Sequence, residues 1–134
     1  WEHQALVRMR PLAGAAALLA RLDALRDEIL ARPRDPQGLA KDVAAMRERM
    51  RRELDRSDAA HFDLKQGAGG LVDLEFALQH AVLRHAGTHP ALRRPRHSAA
   101  LATALAEVGV IDTPTAQALV DAHAALVGLS LACT

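Results

Sequence analysis

Aromatic side chains are scarce in this chain of 134 residues, which has one tryptophan, two phenylalanines and no tyrosine. Half of the residues are nevertheless hydrophobic, and most of these are Ala, Leu and Val. Sheets are enriched in aromatic and β-branched residues, whereas Ala and Leu favour helices. The composition therefore predicts closely packed helices rather than a sheet, in a chain long enough for one domain with a core.

Cysteine, net charge and long apolar runs are also in short supply. Cys133 is the only cysteine, which excludes an internal disulfide and agrees with a reducing, cytoplasmic location. The formal charge is +1, with 17 Lys and Arg against 16 Asp and Glu, so no overall field attracts nucleic acid or an anionic membrane. No uninterrupted apolar run approaches the ~18 residues of a membrane span. We therefore expect neither nucleic acid nor a membrane as a partner.

Apolar residues recur at helical spacing along most of the chain. Asp35 and Pro36 are expected to open the third helix as N-cap and first residue, and Ser98 to cap the fifth. The apolar stripes expected to face the core include Leu18, Leu22, Leu25 and Ile29 in the second helix, Leu71, Leu74, Leu78 and Val82 in the fourth, and Leu119, Ala122, Leu126 and Leu129 in the last. Helices are predicted over residues 1–10, 15–32, 36–54, 71–86, 99–108 and from 113 onward. The fold class is therefore all-α, an antiparallel bundle of about five or six helices joined by short loops.

A run of charged residues, 47–56, lies at the end of the third predicted helix. Acidic residues interleave with the arginines, and no aromatic residues accompany them for stacking on bases. We therefore interpret this run as a solvated helix face rather than a nucleic-acid site.

A glycine-rich turn in FDLKQGAGGLVDLEF, residues 62–76, interrupts the helical pattern. Such a turn leaves free N–H groups at a helix N-terminus, where an anion gains about 0.3–1 kcal/mol. A P-loop would need a Gly-Lys-Ser/Thr ending, and a dinucleotide fingerprint would need glycine in place of Val72. Two alternatives stay open: a phosphate contact, or a tight junction with Lys65 on the surface. The candidates for a substrate-facing or domain-facing surface are Asp63, Lys65, Gly69, Gly70, Asp73 and Glu75.

The two carboxylates after the turn point to different helix faces. At 100° per residue Asp73 faces solvent or a partner, whereas Glu75 falls on the apolar side of its helix. A carboxylate there costs several kcal/mol unless it is paired or hydrogen-bonded. Glu75 is therefore expected either to bind an arginine or the loop backbone, or to line a cleft.

No complete catalytic or metal-binding set is visible in the chain. His80, His85 and His89 do not form one series at i, i+4 spacing, and Cys133 has no evident histidine partner. The serines lack a nucleophile-elbow context. We therefore assign no catalytic residue and no metal ligand to this chain.

Three separated segments, WEHQALVRMRPLAG, MRERMRREL and FDLKQGAGGLVDLEF, occur in an order that resembles the glutamine synthetase adenylyltransferase (glutamate-ammonia-ligase adenylyltransferase) family. The resemblance implies an enzyme of two similar halves, each a nucleotidyltransferase domain followed by a helical bundle. One half removes AMP from a tyrosine of glutamine synthetase. The other attaches it, using ATP and magnesium, under control of the PII signal protein and glutamine.

Within that family the chain resembles the helical bundle of the C-terminal, adenylylating half, because the other half tends to have Arg-Glu in place of Val72 and Asp73. Residues 1–134 would then be one helical domain of a larger enzyme, as the absence of an initiator methionine also suggests. Residues 1–14 would join it to the preceding nucleotidyltransferase domain. The family's Gly-Ser motif and metal-binding aspartates lie in that domain, so the chain alone is expected to be inactive and to bind no cofactor.

The resemblance implies an accessory role in adenylylation of glutamine synthetase. Lys65 and the amides near Gly69 and Gly70 would contact nucleotide phosphates, while Asp73 or Glu75 would orient the cleft or reach the target protein. A mechanical role, in which the turn docks one domain on the other, is the rival explanation. The alternative function is a regulatory module that docks PII or glutamine synthetase through residues 47–56 or 93–97.

Overall fold

The computed structural model describes residues 2–133, so Trp1, the first residue of the first predicted helix, and Thr134 lie outside the described residues. Within that range the fold is all-α, as predicted, and contains no strand. One 3₁₀ helix, Pro90–Arg93, lies in the connection before the fifth α-helix. The α-helices are α1 (Glu2–Arg8), α2 (Ala16–Ala31), α3 (Pro36–Leu54), α4 (Leu71–His85), α5 (Ser98–Glu107) and α6 (Thr113–Ala132).

Side-chain caps explain where two of the helices begin. The Asp35 carboxylate accepts hydrogen bonds from the amides of Gln37 and Gly38 at the start of α3, as predicted. Asp112, which sequence analysis did not single out, caps α6 through the Thr115 amide at 2.7 Å. The prediction for Ser98 is wrong, because Ser98 is buried as the first residue of α5 and makes no cap hydrogen bond.

Helix α4 is the centre of the bundle. It packs against α1, α3, α5 and α6 and against the 3₁₀ helix, while α5 and α6 form a closely packed pair. Its predicted apolar face is buried through Leu74, Leu78 and Val82. The core consists of aliphatic residues alone: Val7, Leu30, Leu74, Leu78, Val82, Leu83, Ala86, Leu92, Leu101, Ala102, Ala104, Leu105 and Ala116.

Two details of the predicted bundle are wrong. The connection between α3 and α4 is not short, since it takes up residues 55–70. The stripe of α2 does not face the core: Leu18 and Leu25 are 55% and 48% exposed, and the buried residues are Arg26 and Leu30. Helical periodicity identifies an apolar face, but it does not tell what covers that face.

Helix α6 also departs from its prediction. Of its stripe, Leu119 and Leu126 are half-buried, whereas Ala122 and Leu129 are exposed. With 20 residues and a mean hydropathy of 1.2 over an 18-residue window, α6 is long and apolar enough to cross a membrane by length and composition alone. Polar residues such as Asp121 interrupt its apolar residues, so α6 contains no uninterrupted apolar run of this length.

Arg26 joins three elements from inside the bundle. Its guanidinium is 2% exposed and donates to the carbonyl oxygens of Leu6 at 2.7 Å and Val7 at 2.6 Å, at the end of α1. A third hydrogen bond of 2.5 Å reaches the carbonyl of Arg93 in the 3₁₀ helix. Burial, followed by the charge of Arg96, lowers the pKa of Arg26. Carbonyls at a helix C-terminus lack partners within the helix, so Arg26 satisfies them and fastens α1 to α2.

Other arginines act in the same way at the edge of the bundle. Arg96 donates to the Met9 carbonyl and to Asp23 at 2.9 Å. Arg34 donates to the carbonyls of Ile29 at 2.8 Å and Leu30 at 3.3 Å, which end α2. Arginines therefore supply many of the polar links between elements of this small aliphatic core.

Replacing Arg26 by methionine is expected to lower the free energy of unfolding by about 3 kcal/mol, because three buried or part-buried carbonyls lose a charged donor. Arg21→Met on the same helix is the control, since Arg21 is exposed and a change within about 0.5 kcal/mol is expected. Urea denaturation followed by circular dichroism measures both. Equal losses in the two variants would contradict the role given to Arg26.

Candidate functional site

The glycine-rich turn, residues 64–70, folds back onto the start of α4. The Gly67 amide donates to the Asp63 carbonyl at 2.9 Å, and the Gly70 amide to the Gly67 carbonyl at 2.9 Å. The Leu71 amide then donates to the Leu64 carbonyl at 2.9 Å, and the Val72 amide to the carbonyl of Lys65 at 3.1 Å. The carbonyls of the turn therefore occupy N–H groups that a helix N-terminus usually leaves free.

Asp63 holds the first half of the turn. Its Oδ1 accepts from the amides of Lys65 and Gln66, each at 2.9 Å, and its Oδ2 from the Arg56 amide at 3.3 Å. Its own amide donates to the Ser57 hydroxyl at 3.0 Å. The Gln66 amide is the main cause that lowers the pKa of Asp63. Asp63 therefore organises the loop from within and keeps its charge there.

Asp73 holds the second half of the turn and ties it to α3. Its Oδ2 accepts from the Gly69 amide at 2.7 Å and from Arg51 at 2.9 Å, and its Oδ1 from Arg47 Nε at 2.5 Å. Partial burial would raise the pKa of Asp73, but the Gly69 amide, the two arginine hydrogen bonds and the charge of Arg47 together lower it. The partner that sequence analysis left open for Asp73 is therefore another part of this chain.

Arg47 extends the same network into the interior. It is 7% exposed and donates to the backbone carbonyl of Gln66 at 2.6 Å and to the Gln66 side chain at 3.4 Å. The prediction of a solvated face is thus wrong for Arg47, and for Arg51, which is half-buried. Both lie one turn apart on the side of α3 that faces α4. The prediction is correct for their exposed neighbours, Glu48, Arg49, Arg52 and Glu53.

The glycines of the turn have separate physical roles. Gly69 has φ of +80°, a conformation that glycine adopts at little cost. A Cβ on Gly70 would lie 2.8 Å from the Leu64 carbonyl oxygen. A Cβ on Gly67 would lie 2.6 Å from the Asp63 carbonyl oxygen and 2.7 Å from the Phe62 ring. Sequence analysis did not single out Gly67, because only the folded loop brings Asp63 and Phe62 against it.

This geometry changes the expectation of an anion site at the turn. The amides of Gly69 and Gly70 already donate to Asp73 and to Gly67, so the expected free N–H groups are not found there. The Lys65 side chain is exposed beside them. Lys65 is therefore the group in this turn that remains suited to a phosphate or to a carboxylate of a partner.

Glu75 faces away from the network, towards α1. Its carboxylate accepts a hydrogen bond from Arg8, and its side chain is 21% exposed. One turn along, Gln4 donates to Gln79 at 3.3 Å. The structure therefore supports the arginine partner among the alternatives for Glu75, and the pair fastens α1 alongside α4.

A cavity of about 280 Å³ lies between α3 and α4, next to the network. Arg47, Asp73 and His80 line it together with apolar residues, and His80 Nε2 is buried without a hydrogen-bond partner. Burial, and then the charge of Arg84, lowers the pKa of His80, so the neutral ring is favoured. Within residues 2–133 no three His, Cys, Asp or Glu side chains are grouped to hold a metal ion.

The pH dependence of stability tests the Asp73 network. A carboxyl with a lowered folded pKa stabilises fully above its unfolded pKa of about 3.9, and this contribution is lost as the pH falls through the folded value. Asp73→Asn is expected to cost about 2 kcal/mol at neutral pH, and progressively less below about pH 4. Urea denaturation across that range measures the difference, with Asp42→Asn, on the exposed side of α3, as control. A cost that does not vary with pH would contradict the assignment.

Comparisons with known proteins agree with the motifs. Residues 38–132, from α3 into α6, match the family model described as GlnD PII-uridylyltransferase. The chain is 57% identical over all of its 134 residues to the bifunctional glutamine synthetase adenylyltransferase/adenylyl-removing enzyme of Stenotrophomonas maltophilia (strain K279a). It is 55% identical over the same length to the enzyme of that name from Xanthomonas campestris pv. campestris (strain B100).

A more distant relative of the same name, from Nitrosococcus oceani, is 46% identical over 125 residues, or 93% of the chain. The chain spans 13–14% of the length of these curated relatives. The chain therefore belongs to the GlnD PII-uridylyltransferase family, and the resemblance to glutamine synthetase adenylyltransferases that its motifs carry is confirmed.

Proposed function

We propose that this chain is an accessory helical domain of a cytoplasmic enzyme that transfers AMP from ATP to a tyrosine of glutamine synthetase. All 134 residues of the chain are similar to part of enzymes named for adenylylating and deadenylylating glutamine synthetase, which supports this proposal. The chain spans only 14% of those relatives, and the catalytic motifs that the family resemblance implies would lie in the remainder of such a polypeptide. We propose the adenylylating half, because Val72 and Asp73 stand where the other half tends to have Arg-Glu.

The observation that carries the accessory role is the rigid glycine turn. Asp63, Asp73 and Arg47 use their polar groups to hold the turn against α3 and α4. A surface held in this way needs little ordering when another domain docks on it. We infer that the turn contacts the preceding nucleotidyltransferase domain and presents Lys65 to its cleft.

ATP and magnesium would be held mainly outside this chain. The carboxylates of the turn fit a metal ion poorly, because Asp73 is already neutralised by two arginines and Asp63 accepts backbone amides. The ammonium of Lys65 fits a nucleotide phosphate as a point charge. When bound, the metal and nucleotide would supply the adenylyl-transfer chemistry, and Lys65 would add positive charge at the edge of the cleft.

A second candidate function follows from the family description, which names PII as the protein modified. In that case the chain would serve a PII-directed enzyme or dock PII as a regulatory module. The exposed arginines of α3, such as Arg49 and Arg52, and Arg94 in the loop at residues 93–97 would supply the docking charge.

The first test compares the 134-residue chain with a longer polypeptide that includes the preceding domain. Each is incubated with ATP, magnesium and glutamine synthetase, and in parallel with UTP, magnesium and PII. Intact mass spectrometry is expected to detect one added AMP per glutamine synthetase subunit with the longer polypeptide only. Uridylylated PII without adenylylated glutamine synthetase would favour the second candidate, and AMP transfer by the short chain would contradict the accessory role.

Lys65→Ala in the longer polypeptide tests the role of the turn. Loss of one charge beside the nucleotide is expected to lower the rate of AMP transfer about tenfold, while the unfolding midpoint stays unchanged because Lys65 is exposed. Lys41→Ala, which removes an exposed lysine from α3, serves as the matched control. If both variants keep the parent kinetics, Lys65 has no part in the cleft.

A further inference from the structure

The side chains of the first three turns of α2 are hardly buried by the rest of this chain. No side chain from residue 16 to residue 25 is buried, and only Leu19 and Asp23 are half-buried. The first buried residue of the helix is Arg26. Residues 16–25 thus form an exposed helical segment, and Leu12, 82% exposed, lies just before it.

The composition of this segment does not suit a solvated surface. Its exposed positions are alanines and leucines, with Arg21 as the one charge fully in solvent, since Asp23 is held by Arg96. A helix that is apolar around most of its circumference is normally buried, and ten residues of helix are marginal in water without packing. Leu18, Leu22 and Leu25 form the ridge of the segment, roughly 90° around the helix from Arg26 and Leu30.

We propose that this segment, residues 16–25 together with Leu12, inserts into an apolar groove of another domain of the same longer polypeptide. The proposal rests on the proposed function to the extent that the chain is part of such a polypeptide, as its 14% share of the relatives' length indicates. The groove must take three leucines at successive helical turns. It must also offer an acceptor, such as a carboxylate, near its middle for Arg21.

The position of the segment agrees with this partner. Helix α1 runs antiparallel to α4, since Gln4 contacts Gln79 and Arg8 contacts Glu75. The chain therefore leaves α1 towards the N-terminal end of α4, where the glycine turn lies. Leu12 and the start of α2 therefore follow at the same end of α4 as the glycine turn, which the proposed function assigns to the contact with the preceding domain.

Hydrogen exchange measured by mass spectrometry tests the proposal. Peptides covering residues 12–25 are compared between the 134-residue chain and the longer polypeptide. Exchange is expected to be at least about tenfold slower in the longer polypeptide, because docking protects a helix that the short chain leaves open. Equal exchange in the two proteins would overturn the proposal.

Substitutions locate the contact. Leu22→Glu with Leu25→Glu is expected to leave the unfolding midpoint of the short chain unchanged and to abolish the extra protection in the longer polypeptide. Leu54→Glu is the matched control, because Leu54 is a 44% exposed leucine on α3, and it is expected to keep the protection. The wild-type comparison alone decides the proposal if the double variant fails to fold.

A partner other than a neighbouring domain on the leucine ridge would give different experimental results. A dimer of the short chain in light scattering, lost in the double variant, would assign the ridge to a second copy and overturn the proposal. Protection of the short chain by vesicles of anionic phospholipid, with none in the longer polypeptide, would also overturn it. Protection in a longer polypeptide that fails to transfer AMP would support the docking while contradicting the proposed function.

Discussion

The buried guanidinium of Arg26 is the constraint on which the arrangement of the first three elements depends. A cation at 2% exposure is tolerated because its three hydrogen bonds all end on backbone carbonyls, those of Leu6, Val7 and Arg93. Those carbonyls belong to the end of α1 and to the 3₁₀ helix, so removing the charge would free both elements from α2. Once Arg26 fixes the end of α1, Arg8 of α1 pairs with Glu75 of α4. The position of α1 relative to α2 thus depends on one side chain.

A second arginine network performs the same task for the glycine turn. Arg47 and Arg51 on α3 neutralise Asp73 on α4, and Asp73 in turn accepts the Gly69 amide. The long connection between α3 and α4 is therefore ordered by polar contacts, not by apolar burial. A chain with so few aromatic residues has few large apolar side chains that could anchor its loops. Hydrogen-bonded arginines anchor this loop instead. The rigid turn is consequently suited to presenting Lys65 to a neighbouring domain.

Helices α2 and α6 leave apolar faces uncovered within this chain. The first turns of α2 have no buried residue, and α6 buries only Ala116 fully, although both helices are rich in leucine and alanine. Each packs on one side only, α2 on α1 and the 3₁₀ helix, and α6 on α5 and α4. The docking proposed for α2 would cover one of these two faces.

Local rules were enough to predict the helices, the Asp35 cap and the buried face of α4, because spacing and capping act within a few residues of the chain. Family membership could likewise be predicted from three motifs. Only the tertiary structure decided that Arg26 and Arg47 are interior while Leu18 and Leu25 are exposed. An arginine becomes buried when distant carbonyls or carboxylates converge on it, and a leucine stays in solvent when no element lies opposite. Both outcomes depend on contacts between residues 19 to 67 positions apart, which helical periodicity does not encode.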